Sequence, residues 1–194
     1  IGTISSPFIL HPSGFVQTIP LKRGWNWISL NLENADMSRE NLLQTLINPN
    51  IENDLLIKDK EGRSSEYNSN RERWSGRLRD LETDEGYMIY LENQADTLRV
   101  VGTPVTPTPI KVVSGWNWIG YQPQGVKTIN EALASLSPSN QDIIKGQNEF
   151  AEYFSTTRNW IGNMKFMQPG KGYKLELTNA GTLAFPARKK PSHY

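Results

Sequence analysis

The spacing of apolar positions divides the chain into short extended runs, with one helical stripe in each half. Residues 25–32 read Trp-Asn-Trp-Ile-Ser-Leu-Asn-Leu. Apolar groups fall on both alternating faces, which predicts a mostly buried strand. Gly24 ahead of it suits a tight turn or a close backbone approach. Leu42, Leu43, Leu46 and Ile47 then share one side of a short helix, with Ser38 as N-cap and Pro49 as stop. Leu55-Leu56-Ile57 predicts a short strand, Glu61-Gly62 a turn, and Ser64 to Tyr67 the returning arm of a hairpin. Gly86 to Leu91 and Thr97 to Val101 predict two further strands.

The second half retraces this path. Gly115-Trp116-Asn117-Trp118-Ile119 repeats Gly24-Trp25-Asn26-Trp27-Ile28. Thr128-Ile-Asn-Glu131 is a capping box, followed by the stripe Ile129, Ala132, Leu133 and Leu136, with Pro138 ending the helix. Asp142 to Lys145 matches Asp54 to Lys58, Glu152-Tyr153 matches Glu66-Tyr67, and Trp160-Ile-Gly162 matches Trp74-Ser-Gly76. Gly172-Tyr173 to Leu177 matches Gly86-Tyr87 to Leu91. The offset is 91 from Gly24 to Gly115, 90 from Ser38 to Thr128, and 86 from both Trp74 to Trp160 and Gly86 to Gly172. It changes only in loop-like places, where deletions are tolerated.

The expected fold is α+β and mainly antiparallel β: two tandem similar domains, each a small sheet or barrel with one short helix. A strand exchange that fuses the repeats into one pseudo-twofold unit is the alternative. Residues 1–20 read as a lead-in, 21–102 as the first repeat, 103–109 as a proline-rich linker, 110–187 as the second repeat and 188–194 as a basic tail. Hydrophobic residues make up 37% of the 194, which fits two small cores better than one large core.

Charge and composition narrow the function. The 21 Lys+Arg balance 20 Asp+Glu, and only Arg188-Lys189-Lys190 forms a charge block. No basic face or module suggests nucleic acid. There are no cysteines, which excludes disulfides, thiolate metal sites and cysteine nucleophiles. No apolar run approaches the roughly 20 residues of a membrane span. Nothing at the start reads as a signal peptide, which suits a mature or excised piece.

Candidate chemistry is sparse. The two histidines, His11 and His193, lie in terminal segments without partners at ligand spacing, so neither a zinc site nor a Ser-His-Asp arrangement is expected. Asp80, Glu82, Asp84 and Glu85 form the densest acidic stretch, read as a solvated loop with calcium as the sharper alternative. Gly170-Lys171-Gly172 lacks phosphate-loop spacing and precedes a strand, so it reads as a strand-entry turn. No catalytic residue, metal or cofactor is expected.

The aromatics are the better lead, with six Trp and seven Tyr. Trp25, Trp27, Trp116 and Trp118 are expected to pack against the helix stripe as core. Trp74 and Trp160 lie in polar surroundings beside predicted hairpin turns. They are the expected ligand-binding rings, flanked by Tyr67 and Tyr153, with Arg73 and Arg158 as hydrogen-bond donors. The alternative is that each Trp folds back to cap its own core.

The ordered set of a Gly-Trp-Asn opening, a short helix, a mid-repeat aromatic hairpin and a Gly-x-Gly-Tyr ending resembles a module common in secreted and surface proteins of bacteria, especially Bacteroidetes. Pro169-Gly170-Lys171-Gly172-Tyr173 carries the ending in the second copy, whereas Thr83-Asp84-Glu85-Gly86-Tyr87 lacks its first glycine. The resemblance covers about residues 21–186. It implies an extracellular or cell-surface, non-catalytic interaction, adhesion or structural module. The expected partner is another protein or a neighbouring domain. The alternative is a polysaccharide bound by the hairpin tryptophans.

Overall fold

The computed structural model describes residues 9–11, 14–47 and 54–186. Pro49, His193, the 188–194 tail and most of the first thirteen residues lie outside them, and of His11 only the backbone is described. The fold is mainly antiparallel β.

In the N-terminal half, β1 (Ile9–His11) pairs with β2 (Gly14–Leu21). After β3 (Gly24–Ser29) and β4 (Leu32–Glu33) comes α1 (Arg39–Leu42), continued by a 3-10 turn at Gln44–Leu46. Then follow β5 (Leu55–Lys58), β6 (Ser64–Asn68), β7 (Arg73–Gly76), β8 (Gly86–Leu91) and β9 (Asp96–Pro104). The C-terminal half contains β10 (Ile110–Val112), β11 (Gly115–Ile119), β12 (Lys127–Thr128), α2 (Ile129–Ala132) and β13 (Ile143–Lys145). It ends with β14 (Phe150–Phe154), β15 (Asn159–Gly162), β16 (Phe166–Met167), β17 (Tyr173–Leu177) and β18 (Gly181–Leu183).

Each half builds one five-stranded antiparallel sheet. The orders are β3-β8-β5-β6-β7 and β11-β17-β13-β14-β15, and in both the opening Gly-Trp-Asn strand lies at one edge. Each sheet has its own core. One gathers Ile28, Leu43, Ile57 and Ile89; the other gathers Ile119, Leu133, Ile144 and Leu175. Residues 14–20, expected as a lead-in, are the first seven of β2, which pairs along β9 from Phe15 to Leu21. The 103–109 segment is tied down by a Val105 N–H bond to the Asn31 carbonyl and a Thr108 N–H bond to Gln122 Oε1.

The helices start where the caps require. Ser38 Oγ accepts the Asn41 N–H at 3.3 Å. Thr128 and Glu131 form a full capping box, which satisfies backbone donors that a helix start leaves unpaired. The buried Leu42, Leu43 and Leu46 pack α1 and its 3-10 turn into the N-terminal core beside β9.

The opening motif has one local design in both halves. Gly24 and Gly115 adopt φ +86° and +87°, where a Cβ is disfavoured. The Asn two residues later clasps the turn. Asn26 Oδ1 accepts the Lys22 N–H at 2.9 Å, and its Nδ2 donates to Lys22 O at 2.7 Å and Gly24 O at 3.0 Å. Asn117 does the same with Val113 and Gly115. The ending motif differs as its sequence does. Gly170 takes φ +83°, whereas Asp84 at the matching place has no positive φ.

The halves meet through reciprocal contacts. Ile28 of the first opening strand bridges Lys171, and Ile119 of the second bridges Glu85. Ser29 Oγ donates to Lys171 O at 2.7 Å and accepts the Tyr121 N–H at 3.1 Å. Backbones approach so closely that a Cβ on Gly172 would lie 2.6 Å from Ile28 O, and one on Gly120 would lie 2.3 Å from Thr83 O.

Candidate functional site

The phase of the opening strand decides what faces solvent. In β3, Asn26 and Ile28 are buried while Trp25 and Trp27 are half-buried. Alternate strand residues point to opposite faces, so the tryptophans lie on the face turned away from the core. The same holds for Trp116 and Trp118 in β11. This corrects the expectation that these four rings pack against the helix stripe. Asn26 and Asn117 take the inward phase because their amides are used up in the turn clasp.

Cross-strand register extends this outer face in rows. In the N-terminal sheet Trp25, Tyr90, Leu56 and Glu66 stand side by side, as do Trp27, Met88 and Lys58. In the C-terminal sheet the rows are Trp116, Glu176, Ile143, Glu152 and Ile161, and Trp118, Lys174, Lys145 and Phe150. Trp25 and Tyr90 rings meet at 5.2 Å between centroids. Lysine ammoniums lie on the indoles: Lys58 at 4.3 Å from Trp25 and Lys145 at 4.9 Å from Trp116. Lys174 joins the two sheets, 4.4 Å from the Trp27 ring and 4.1 Å from the Trp118 ring. The negative ring faces attract these cations. Burial, and then repulsion from Lys58 and Lys145, holds the Lys174 ammonium below the ordinary lysine pKa.

The rest of this face is unusually apolar on the C-terminal side. Trp116, Phe150, Phe154 and Ile161 are all exposed, and Ile161 stands beside Glu152 in the outer row. Clefts flank the junction on either side. One, of about 340 Å³, includes Lys60, Glu61, Glu85 and Trp118. The other, of about 540 Å³, includes Lys22, Trp27, Glu149 and Lys171. In the latter the Gln147 carboxamide closes the β3 edge, donating to Trp25 O at 2.7 Å and accepting from Trp27 N–H at 3.0 Å.

The residues picked from the hairpins are placed differently from one another. Trp74 is the cross-strand partner of Tyr67, and Trp160 of Tyr153. Their ring centroids lie 5.4 and 5.5 Å apart in tilted pairs. Trp160 is 5% exposed and Tyr67 7%, both within the cores. Trp74 and Tyr153 are half-buried and pack against those cores. The guanidinium of buried Arg39 lies 5.4 Å from the Trp74 ring. Arg73 and Arg158 are exposed, and Arg158 has φ +54° in the turn before β15. The fold-back alternative therefore describes the packing of both hairpin tryptophans, and their polar sequence surroundings belong to the turns.

The acidic stretch does not converge on itself. Among the described residues, one set of carboxylates comes close enough to share an ion, namely Asp59, Glu61 and Glu85. Arg63 already stands there, 2.5 Å from Asp59, 3.9 Å from Glu61 and 3.7 Å from Glu85. Burial, and then the Glu61 charge, raises the Glu85 carboxyl above its usual value. No helix of the described residues is long and apolar enough to cross a membrane.

Sequence alone does not single out the outer face. The tryptophans alternate with Asn26 and Ile28, and Ile28 continues in phase with buried Leu30 and Leu32, but Ser29 and Asn31 in the tryptophans' own phase are buried as well. No family model, no curated protein and no solved structure matches this chain.

Proposed function

We propose that the chain is a non-catalytic interaction module of a secreted or surface bacterial protein, built by internal duplication, with the outer sheet face as its working surface. One observation carries this reading: four of the six tryptophans lie on one solvent-facing surface that runs across both halves. Large rings left outside a core mark contact surfaces more strongly than scattered apolar residues do. The identical strand orders and reciprocal junction contacts support duplication. Fusing the halves doubles the area of the face.

The half-exposed indoles favour a carbohydrate over a protein as the bound partner. An indole presents a flat, electron-rich surface, and sugar rings present a matching flat array of C–H groups. The candidate rings are then Trp25, Trp27, Trp116 and Trp118 rather than Trp74 and Trp160.

The test is a tryptophan-fluorescence titration against a panel of polysaccharides and surface proteins. The expected response disappears in Trp25→Ala/Trp116→Ala with unchanged circular dichroism, and persists in Tyr153→Phe. Binding indifferent to the outer tryptophans, or glycan turnover by the pure protein, overturns the reading.

A further inference from the structure

Lys145 and Lys174 are direct cross-strand partners on the outer face. Like charges placed opposite each other destabilise a sheet. Lys58 is close enough to repel Lys174 as well. Among the described residues, none of these three ammoniums lies within ion-pair distance of a carboxylate. What holds them is aromatic: each lies on an indole, and Lys174 lies between two. Three cations thus converge at the centre of the face with rings as their floor and, among the described residues, no carboxylate within ion-pair distance. The matching position to Lys174 in the N-terminal sheet is Met88, which lines the same spot between Trp27 and Trp118. A lysine is therefore not needed to fill that space.

We propose that this cluster binds an anionic polysaccharide, with the carboxylate of a uronic acid seated against Lys145 and Lys174 and the flanking sugars laid along the outer tryptophans. The inference rests on the outer face being the working surface. Charge complementarity selects an acidic ligand, since a carboxylate offers two oxygens to two neighbouring ammoniums in charge-assisted contacts. The rest of the face selects a sugar. Glu152 and Glu176 stand one row from the lysines. They accept hydrogen bonds from hydroxyls. A DNA backbone and a peptide of Asp and Glu have no hydroxyls along the chain to offer these carboxylates. A uronic-acid glycan supplies both groups.

The experiment titrates the protein with polygalacturonate, with its methyl-esterified form, with neutral dextran, and with dextran sulfate, polyglutamate and single-stranded DNA. The expected result is saturable binding of polygalacturonate that weakens with salt and falls on esterification. Lys174→Met, which copies the Met88 position, weakens it about tenfold, and Lys145→Gln/Lys174→Met about a hundredfold. Lys165→Gln, at an exposed position beside the start of α2, leaves it unchanged. Equal binding of dextran sulfate, polyglutamate or DNA means non-specific polyanion attraction and overturns the proposal. So does polygalacturonate binding that survives the double substitution, or its absence in the unaltered protein. If instead dextran or a protein binds in a manner lost in Trp25→Ala/Trp116→Ala, the working surface stands and the anionic assignment alone falls.

Discussion

Trp27 and Trp118 hold one ammonium between them, with Lys174 Nζ 4.4 Å from the first ring and 4.1 Å from the second. One residue of the C-terminal sheet thereby touches the opening strand of each half. The contact lies beside the bridges from Ile28 to Lys171 and from Ile119 to Glu85, so the junction is closed by backbone on one side and by rings and a charge on the other. The face that results is continuous across the molecule, and its rings are held at fixed positions by edge strands rather than by loops.

Two tryptophans should separate cleanly in their effect on stability. Trp160 is 5% exposed in the C-terminal core, while Trp116 is 39% exposed on the outer face. Trp160→Ala leaves a cavity and is expected to cost about 3–5 kcal/mol. Trp116→Ala loses chiefly its contact with Lys145 and is expected to cost about 1 kcal/mol or less. Chemical denaturation of both variants measures this. Comparable losses would show that Trp116 is a core residue after all.

The elements themselves are legible in the sequence because turns and caps are local. Gly24, the Ser38 cap and the Thr128–Glu131 box act within a few residues of themselves. The facing of the rings is not local. In residues 25–32 apolar groups occupy both phases, so a period of two does not say which phase is inside. Asn26 and Asn117 look like the outward positions by polarity, yet they are 5% and 3% exposed because each is hydrogen-bonded to its own turn. The hairpin tryptophans mislead for the converse reason. Exposed Arg73 opens β7 and exposed Arg158 sits in the turn before β15, while the indoles fold inward onto Tyr67 and Tyr153. The junction has no sequence signal beyond Gly86, Gly120 and Gly172, whose need for a missing Cβ depends on the other half.

Gly172 and Gly120 should not tolerate alanine. Their added methyl groups would meet backbone atoms at 2.6 and 2.3 Å, and backbone cannot rotate aside. Each substitution is expected to cost about 1–3 kcal/mol. Gly125→Ala, with nothing within 4 Å and no positive φ, is the control and should be near neutral. Urea midpoints of the three variants decide the matter, and a neutral Gly172→Ala would mean that the halves do not meet as closely as described.

The asparagine clasp should be worth more than its exposed neighbours suggest. Asn117 donates to Val113 O at 2.8 Å and Gly115 O at 3.0 Å, and accepts the Val113 N–H at 2.9 Å. Alanine leaves these groups short of partners in a part-buried turn, at about 1–3 kcal/mol. Aspartate keeps the acceptor but sets a carboxylate oxygen against the Val113, Gly115 and Leu175 carbonyls in a buried site, so Asn117→Asp should be at least as destabilising as alanine at neutral pH. A denaturation series that places aspartate near the native residue would show that the donor contributes nothing.

Glu85 should make the protein less stable as it ionises. Its carboxyl pKa is raised, first by burial and then by the Glu61 charge, against the opposing Tyr87 hydroxyl and Arg63. A carboxyl raised in the folded state binds its proton there after the unfolded chain has released it. Stability from this group is therefore full below the ordinary glutamate pKa and is lost as pH rises through the higher folded value. Glu85→Gln removes the ionising group, and at neutral pH the variant should be slightly more stable than the native protein. The gain should be under about 1 kcal/mol, because the side chain is partly exposed and its charge is screened. The gain should vanish at pH below the ordinary glutamate range, where the native residue is also neutral. Thermal midpoints of both proteins across the acidic range test the sign. A Gln variant that is destabilised at neutral pH would show that the 3.7 Å contact with Arg63 outweighs burial.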